Sequence, residues 1–275
     1  MSPVDPTSPQ PAPSWLAPTA QALTALVQRQ PRIHCLTNTV AQTFSANVLL
    51  ALGASPAMSA DPDELEDFVA AAAALVVNLG TLDPTRRRAI ERAVAVANDR
   101  GIPWVLDPVM VDTAPARRRF ALALLDQRPQ VVRANAREVA ALGADVGGGA
   151  VHTLAERFAT VVAQTGPVDV VTDGRRSLQV ANGHPLMARI TATGCAASAV
   201  VAAFLAVEDD PLQAAGHGLL SWGVAGEVAS QGAPGPGTLQ GRLLDALYNL
   251  AGPTLGHWGR LEAAPPPVPS TREDR

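Results

Sequence analysis

Residues 74–109 read ALVVNLGTLDPTRRRAIERAVAVANDRGIPWVLDPV, and the order of signals along this stretch decides the fold. An apolar run at 74–80 gives way, at Asp83-Pro84, to a segment of helical period that closes at Gly101; a second apolar run follows at 104–109. Aspartate before proline is a helix N-cap with proline at the first helical position, and glycine suits the left-handed residue that ends a helix. Two strands joined through a helix lie parallel in one sheet, because the helix carries the chain back to the edge it started from.

The same alternation extends in both directions. Strand-like runs are IHCLTN (33–38), SPAMS (55–59), QVVRAN (130–135), VDVVTDG (168–174) and SLQVANG (177–183). Helical patterns cover about 39–52, 62–72, 84–99, 116–126, 136–143, 151–164, 194–207, 211–230 and 238–250, with Asp61-Pro62 as a further start signal and Gly53 as a further stop. Asp173-Gly174 between two β-runs predicts an antiparallel hairpin. The expected fold is α/β: a doubly wound, mostly parallel sheet flanked by helices, with an antiparallel hairpin near the C-terminal half. Residues 1–18 and 262–275 are proline-rich and aperiodic and read as disordered tails, leaving 19–261 as one domain, with Gly147-Gly148-Gly149 as a loop inside it.

Composition removes several functions. The 275-residue chain has a formal charge of −4 and a pI near 5.7, so no positive field draws it to nucleic acid or anionic membrane. All 21 basic residues are arginine, which excludes a Walker-type phosphate loop and a pyridoxal-phosphate Schiff base, both of which need lysine. Cys35 and Cys195 lack metal-ligand spacing and disulfide partners, and neither a secretory signal nor a 20-residue apolar run is present; a cytoplasmic protein is expected. The arginine runs at 86–88 and 117–119 read as solvated helix faces, and His152, His217 and His257 show no ligand spacing.

The informative pattern is where polar residues fall. Asn38, Asn78, Asp107, Asn135 and Asp173 each stand at the carboxyl end of an apolar run, the edge at which open α/β sheets bind ligands. Any one of them alone is equally well a cap for the next helix; five together favour a shared crevice. TATGC (191–195) then opens a helix of small residues, where Gly194 lets an anion approach backbone N–H groups at the positive terminus. A thiol placed there is expected to have a lowered pKa, making Cys195 a base or nucleophile.

With these residues in hand, a resemblance emerges. HCLTNTVAQTFSANVLLALGASPAMS, VVNLGTL, GIPWVLDPV, VVRANAREVAAL, QTGPVDVVTDG, VANGHPLMARITATGC and GHGLLSWGVAGEVAS resemble, in content and order over residues 20–250, the hydroxyethylthiazole kinases of the ribokinase-like superfamily. The resemblance implies phosphorylation of the hydroxyl of 4-methyl-5-(2-hydroxyethyl)thiazole by ATP with magnesium, in thiamine salvage, by a homotrimer with sites at subunit interfaces. Carried over by position, Met58 and Asn38 contact the thiazole, with Ala192 beside them. Arg133, Thr165 and Asn135 serve ATP, Asp107 and Glu138 hold magnesium, and Gly194 and Cys195 form the anion hole and the base position. Two departures stand out: Ala192 replaces the first glycine of the family's TGTGC, and Met110-Val111-Asp112-Thr113-Ala114 replaces a glycine-rich stretch after DPV. The rival readings are another ribokinase-like activity, such as a hydroxymethylpyrimidine-type kinase, or a protein that binds thiazole or nucleotide without turnover.

Overall fold

The computed structural model describes residues 15–144 and 151–264. Six strands, β1 (Arg32–Leu36), β2 (Ser55–Ala57), β3 (Ala74–Asn78), β4 (Trp104–Asp107), β5 (Val131–Asn135) and β6 (Val161–Thr165), run parallel; β7 (Asp169–Thr172), β8 (Ser177–Val180) and β9 (Leu261–Ala263) continue the sheet antiparallel. The order is β2-β1-β3-β4-β5-β6-β7-β8-β9. From β1 the chain first steps outward to β2 and then crosses back to β3, so the winding reverses between β1 and β3. That reversal opens a crevice at the carboxyl edge.

Side chains alternate along each parallel strand and fill two cores, as the period of two requires. Cys35, Val76, Val105 and Val131 face the layer built by α1 (Leu16–Arg29), α2 (Gln42–Ala51), α8 (Thr193–Leu205), α9 (Pro211–Ser230), α10 (Pro236–Tyr248) and α11 (Gly252–Trp258). Leu36, Val77, Leu106 and Val132 face α3 (Leu65–Ala70), α4 (Pro84–Arg100), α5 (Pro115–Leu125), α6 (Ala136–Ala144) and α7 (Val151–Phe158). Burial on both faces explains why these strands read as continuous apolar runs. Among the described residues no helix is long and apolar enough to cross a membrane.

The doubly wound expectation and the hairpin hold, and several local expectations change. The segment expected as one helix over 151–164 is α7 followed by β6. Ala159 takes φ +49°, doing without glycine what a helix-ending glycine usually does, and the Thr160 hydroxyl donates to the Pro129 carbonyl at 2.6 Å to start the strand. Asp61 caps a turn through the Asp63 N–H at 2.9 Å, and the helix itself begins at Leu65. Residues 16–18, assigned by composition to a tail, form the first turn of α1, whose Ala22, Leu23 and Leu26 are buried; Pro18 sits in that turn, where no intrahelical N–H is required of it. Glu262 and Ala263, assigned to the other tail, pair with β8. The glycine loop at 147–149 and the remaining tail positions lie outside the described residues.

The predicted cap of α4 is formed: one Asp83 carboxylate oxygen accepts the N–H groups of Thr85 and Arg86, both at 2.8 Å. Replacing Asp83 by alanine should remove about 1 kcal/mol of stability, and the melting temperature in a thermal scan should fall by about 2–4 °C.

Candidate active site

The winding reversal brings three of the expected polar strand ends into one hydrogen-bonded chain. Asp173 is not among them: it follows the antiparallel β7, which carries it to the opposite edge of the sheet, where it pairs with Arg176. Asn38, just beyond β1, donates from Nδ2 to Asn78 Oδ1 at 3.0 Å and to Cys195 Sγ at 3.2 Å. Asn78 Nδ2 donates to Asp107 Oδ2 at 2.8 Å, and the same oxygen accepts the hydroxyl of Ser198 on α8 at 2.9 Å. Asn38 Oδ1 in turn accepts the N–H groups of Val40 and Ala41 that lead into α2. Both hydrogens of the Asn38 amide are thus spent within the protein, and the side chain organises the thiol. Gly80 makes this packing possible, since a Cβ there would stand 2.8 Å from Asn38 Cβ.

A second group meets at the start of α8. Ala192, the N-cap, adopts φ +67°; Thr193 anchors the turn by donating its hydroxyl to the carbonyls of Met187 and Ile190, both at 3.1 Å. Gly194 lies directly under Arg133, for a Cβ at Gly194 would come within 2.9 Å of Arg133 Nη1. Arg133 Nη2 donates to Thr165 Oγ1 at 2.6 Å, and its buried Nε has no hydrogen-bond partner among the described residues. Arg133, Thr165, Thr193 and Gly194 line a cavity of about 550 Å³ together with His184, Met187, Leu219 and Trp222. A guanidinium beside a helix N-terminus, in a cavity that also has apolar and aromatic walls, is suited to a ligand carrying both phosphates and a flat ring.

The electrostatics correct one expectation. Burial, followed by the charge of Asp107, pushes the Cys195 thiol up to about 11, outweighing the amides that favour the thiolate. The expected lowering at the helix terminus is therefore reversed, and the thiol is protonated at neutral pH. Cys35, enclosed within β1, is pushed up to about 12 by burial alone. Asp107 is also raised, first by burial; Arg133 opposes that shift and Glu138 adds to it.

Asn135 and Glu138 are adjacent to this site and form a capping box at the start of α6. Asn135 Oδ1 accepts the N–H groups of Arg137 and Glu138, both at 3.0 Å, while Glu138 Oε2 accepts the Asn135 N–H at 2.9 Å. Glu138 Oε1 reaches further, to the Met110 N–H at 2.7 Å, fixing the loop after β4. Among the described residues no three His, Cys, Asp or Glu side chains cluster as a metal cage. Two nearby carboxylates, one wholly buried and opposed by the other, still fit a magnesium ion that keeps waters and phosphate oxygens in its shell, because such an ion needs only one or two protein carboxylates. Met58, beyond the edge strand β2, packs partly buried against the core and does not line the cavity.

Sequence reasoning passed over Ser198, Asp169, Asn182 and Trp222. Ser198 had a detectable signal, since it follows Cys195 by one helical turn on the same face. Asp169 opens a strand rather than ending one, and the pattern of polar carboxyl ends does not reach it. His184 caps a 3₁₀ turn over Pro185–Arg189 by accepting the Leu186 N–H at Nδ1, and also lines the cavity.

The sequence model of the Hydroxyethylthiazole kinase family matches residues 23–252. A probable hydroxyethylthiazole kinase of Agrobacterium fabrum is 44% identical over 243 residues, 88% of this chain and 94% of the relative. The hydroxyethylthiazole kinase of Klebsiella pneumoniae is 48% identical over 248 residues, 84% and 95% of the two chains. Among solved structures, a hydroxyethylthiazole kinase from Pyrococcus horikoshii superposes with a TM-score of 0.88 at 38% identity, covering 90% of this chain and 100% of the other. A pyridoxal kinase from Staphylococcus aureus shares the fold, with a TM-score of 0.61 at 17% identity over 85% and 98% of the chains.

The left-handed Ala192 generates a test. An L-residue with a Cβ loses roughly 1–2 kcal/mol in this region, part of which glycine returns as unfolded-chain entropy. Ala192→Gly should therefore stabilise the protein by about 0.5 kcal/mol, raising the midpoint of urea unfolding without changing its slope.

Proposed function

The chain belongs to the hydroxyethylthiazole kinase family, and from this membership we propose that it phosphorylates the hydroxyl of 4-methyl-5-(2-hydroxyethyl)thiazole at the expense of ATP, a step of thiamine salvage. The observation that carries the reading is the Arg133–Thr165–Gly194 junction: a cation, a hydroxyl and a helix N-terminus converge in a cavity large enough for a nucleotide. Phosphoryl transfer asks the protein mainly to position and to neutralise charge, and those groups do both without lysine.

In this reading Arg133 and Thr165 take nucleotide phosphates, with Asn135 holding the adjacent helix start. The N–H groups at Gly194 and Cys195 face the transferring group. The alcohol oxygen bonds to the γ-phosphorus as the bridge to the β-phosphate breaks, ADP leaves, and the hydroxyl proton passes to the thiolate form of Cys195, a small fraction at neutral pH. Asn38 holds the sulfur in place by donating to it. Asp107 and Glu138 would hold magnesium through water, and the ion supplies shielding of phosphate charge when bound. Ala192, the N-cap of α8, stands on the thiazole side of this helix start. Met58 lies away from its own cavity, which suits a homotrimer in which Met58 of one subunit reaches the thiazole bound beside Cys195 of the next.

Two measurements test this. The chain should run as a trimer in light scattering at micromolar concentration, and a monomer would sink the shared-site arrangement. In a coupled assay with thiazole alcohol, ATP and magnesium, a pyrimidine alcohol serving as the competing substrate, the thiazole should turn over faster. Because the thiol titrates near 11, its thiolate fraction rises about tenfold per pH unit through the neutral range, so kcat should climb from pH 7 to 9 if Cys195 is the base. Cys195→Asp should flatten that climb and keep or raise kcat at pH 7, whereas Cys195→Ala should lower kcat by roughly tenfold or more. Full activity in the alanine variant would leave Cys195 as a packing residue.

A further inference from the structure

Asp169 is a buried carboxylate on the wall of the same cavity that the reaction just described does not use. It is 9% exposed and opens β7. Its Oδ1 accepts the Gly166 N–H at 2.9 Å and so ties down the Gly166-Pro167-Val168 turn, which leaves β6 directly after Thr165. Its other oxygen takes no hydrogen bond among the described residues. Gly166, Pro167, Asp169 and Arg133 line the cavity together.

Arg133 therefore stands in the field of two buried carboxylates, Asp107 on one side and Asp169 on the other. The two are supported unequally. Asp107 holds two side-chain donors, from Asn78 and Ser198, whereas Asp169 has a single backbone amide. When polyanionic phosphates settle against Arg133, the guanidinium's charge is drawn to them and both carboxylates lose the cation that favoured ionisation. The less supported one yields.

We propose that Asp169 is a positioning residue of the nucleotide subsite, which takes up one proton as phosphates occupy the Arg133 end of the cavity and then presents an O–H donor to the nucleotide. The inference rests on reading the cavity as a nucleotide site. In the absence of nucleotide, burial pushes the Asp169 carboxyl up to about 6, against the opposing effects of the Gly166 amide and Arg133, so the group is mostly ionised at pH 7 and close to titrating. Of the charged groups on α7, which packs against β7, His152 bonds Ser177, Glu156 lies beside Gly174 and Arg157 lies over the Phe158 ring. Arg133 faces Asp169 from β5, and His184 lines the cavity with Nδ1 already accepting the Leu186 N–H. From α9 comes Glu227, which is held by Arg260 and by Asn182 beyond β8. β6 contributes the neutral Gln164 and Thr165.

The sign follows from linkage. A carboxyl that must be protonated in the complex but is ionised in the free protein weakens binding as pH rises above 6, by at most about tenfold per unit. Calorimetric titration of the full chain with ADP and magnesium, in buffers of different ionisation enthalpy from pH 6 to 8, measures both affinity and proton uptake. The wild type should take up a proton and lose at least about tenfold more affinity across that range than Asp169→Asn, which keeps the acceptor for Gly166 and should show no such uptake. Equal uptake in both proteins, which would assign it to His184 or the nucleotide, overturns the proposal; so does a wild type that binds ADP without uptake, or a folded Asp169→Asn that binds no ADP at any pH. Failure of the wild type to bind ADP at all removes the nucleotide reading first. Should the variant not fold, infrared difference spectra of the wild type decide: a protonated-carboxyl band must appear on adding ADP at pH 7, and its absence overturns the proposal.

Discussion

The carboxylate of Asp107 is the point on which the site is hung. One oxygen accepts from Asn78 on the neighbouring strand and from Ser198 on α8, the helix packed against the face of β4 to which Asp107 points. Through Asn78 the bond passes to Asn38 and from there to Cys195. Three strand ends and one helix are thereby fixed relative to each other by four side-chain contacts, each largely buried and so costly to leave unmade. The start of α8 cannot rotate without breaking the Ser198 bond, and so the distance between the thiol and the buried carboxylate is set by the fold.

That arrangement concentrates negative charge, and a single guanidinium offsets it. Arg133 influences Asp107, Asp169 and Cys195 at once, while its hydrogen bond to Thr165 keeps it over Gly194. With no lysine anywhere in the chain, arginine takes the cationic role, and its planar fork can hold a hydroxyl with one nitrogen while presenting the others to phosphate. The same economy explains the high thiol pKa: there is too little positive charge near Cys195 to counter its burial beside a carboxylate. A helix terminus alone is a weak field compared with the loss of solvent.

Much of the fold was legible because a parallel sheet buried on both faces leaves unmistakable apolar runs, and because Asp83 and Gly101 mark their helix with side-chain chemistry that acts locally. Where the markers are missing the reading failed. Nothing in the sequence separates α7 from β6, since Ala159 stands where glycine would have announced the break, and α1 hides behind a proline that helices accept in their first turn. The site was legible as a list of polar strand ends, and Asn38, Asn78 and Asp107 do converge. What the sequence does not contain is which hydrogens are already spent. Asn135 and Glu138 satisfy each other in a capping box, and Asn38 gives both amide hydrogens to neighbours; such saturation is a property of the packed structure.

The left-handed residues show how this chain shapes several loops without placing glycine at the left-handed position. Seven described non-glycine residues have positive φ, and they divide by position. Gln30, Arg128 and Ala159 end helices at the amino edge of the sheet, where the turn itself satisfies orphaned carbonyls. Thr81, Val109, Met110 and Ala192 lie in the loops at the carboxyl edge, around the site. For a β-branched residue such as Val109 the conformation is costly, and it persists only where the surroundings hold it. Arg117 does so by donating to the Val109 carbonyl at 2.7 Å, Glu138 by accepting the Met110 N–H, Thr81 by accepting the Thr39 N–H at 3.4 Å, and Thr193 by its two bonds behind Ala192. Side chains thus enforce backbone shapes that glycine would adopt freely. A loop held in this way is stiffer before ligand arrives, so the cavity's phosphate end is largely built in the free protein, and binding there spends little on ordering the chain.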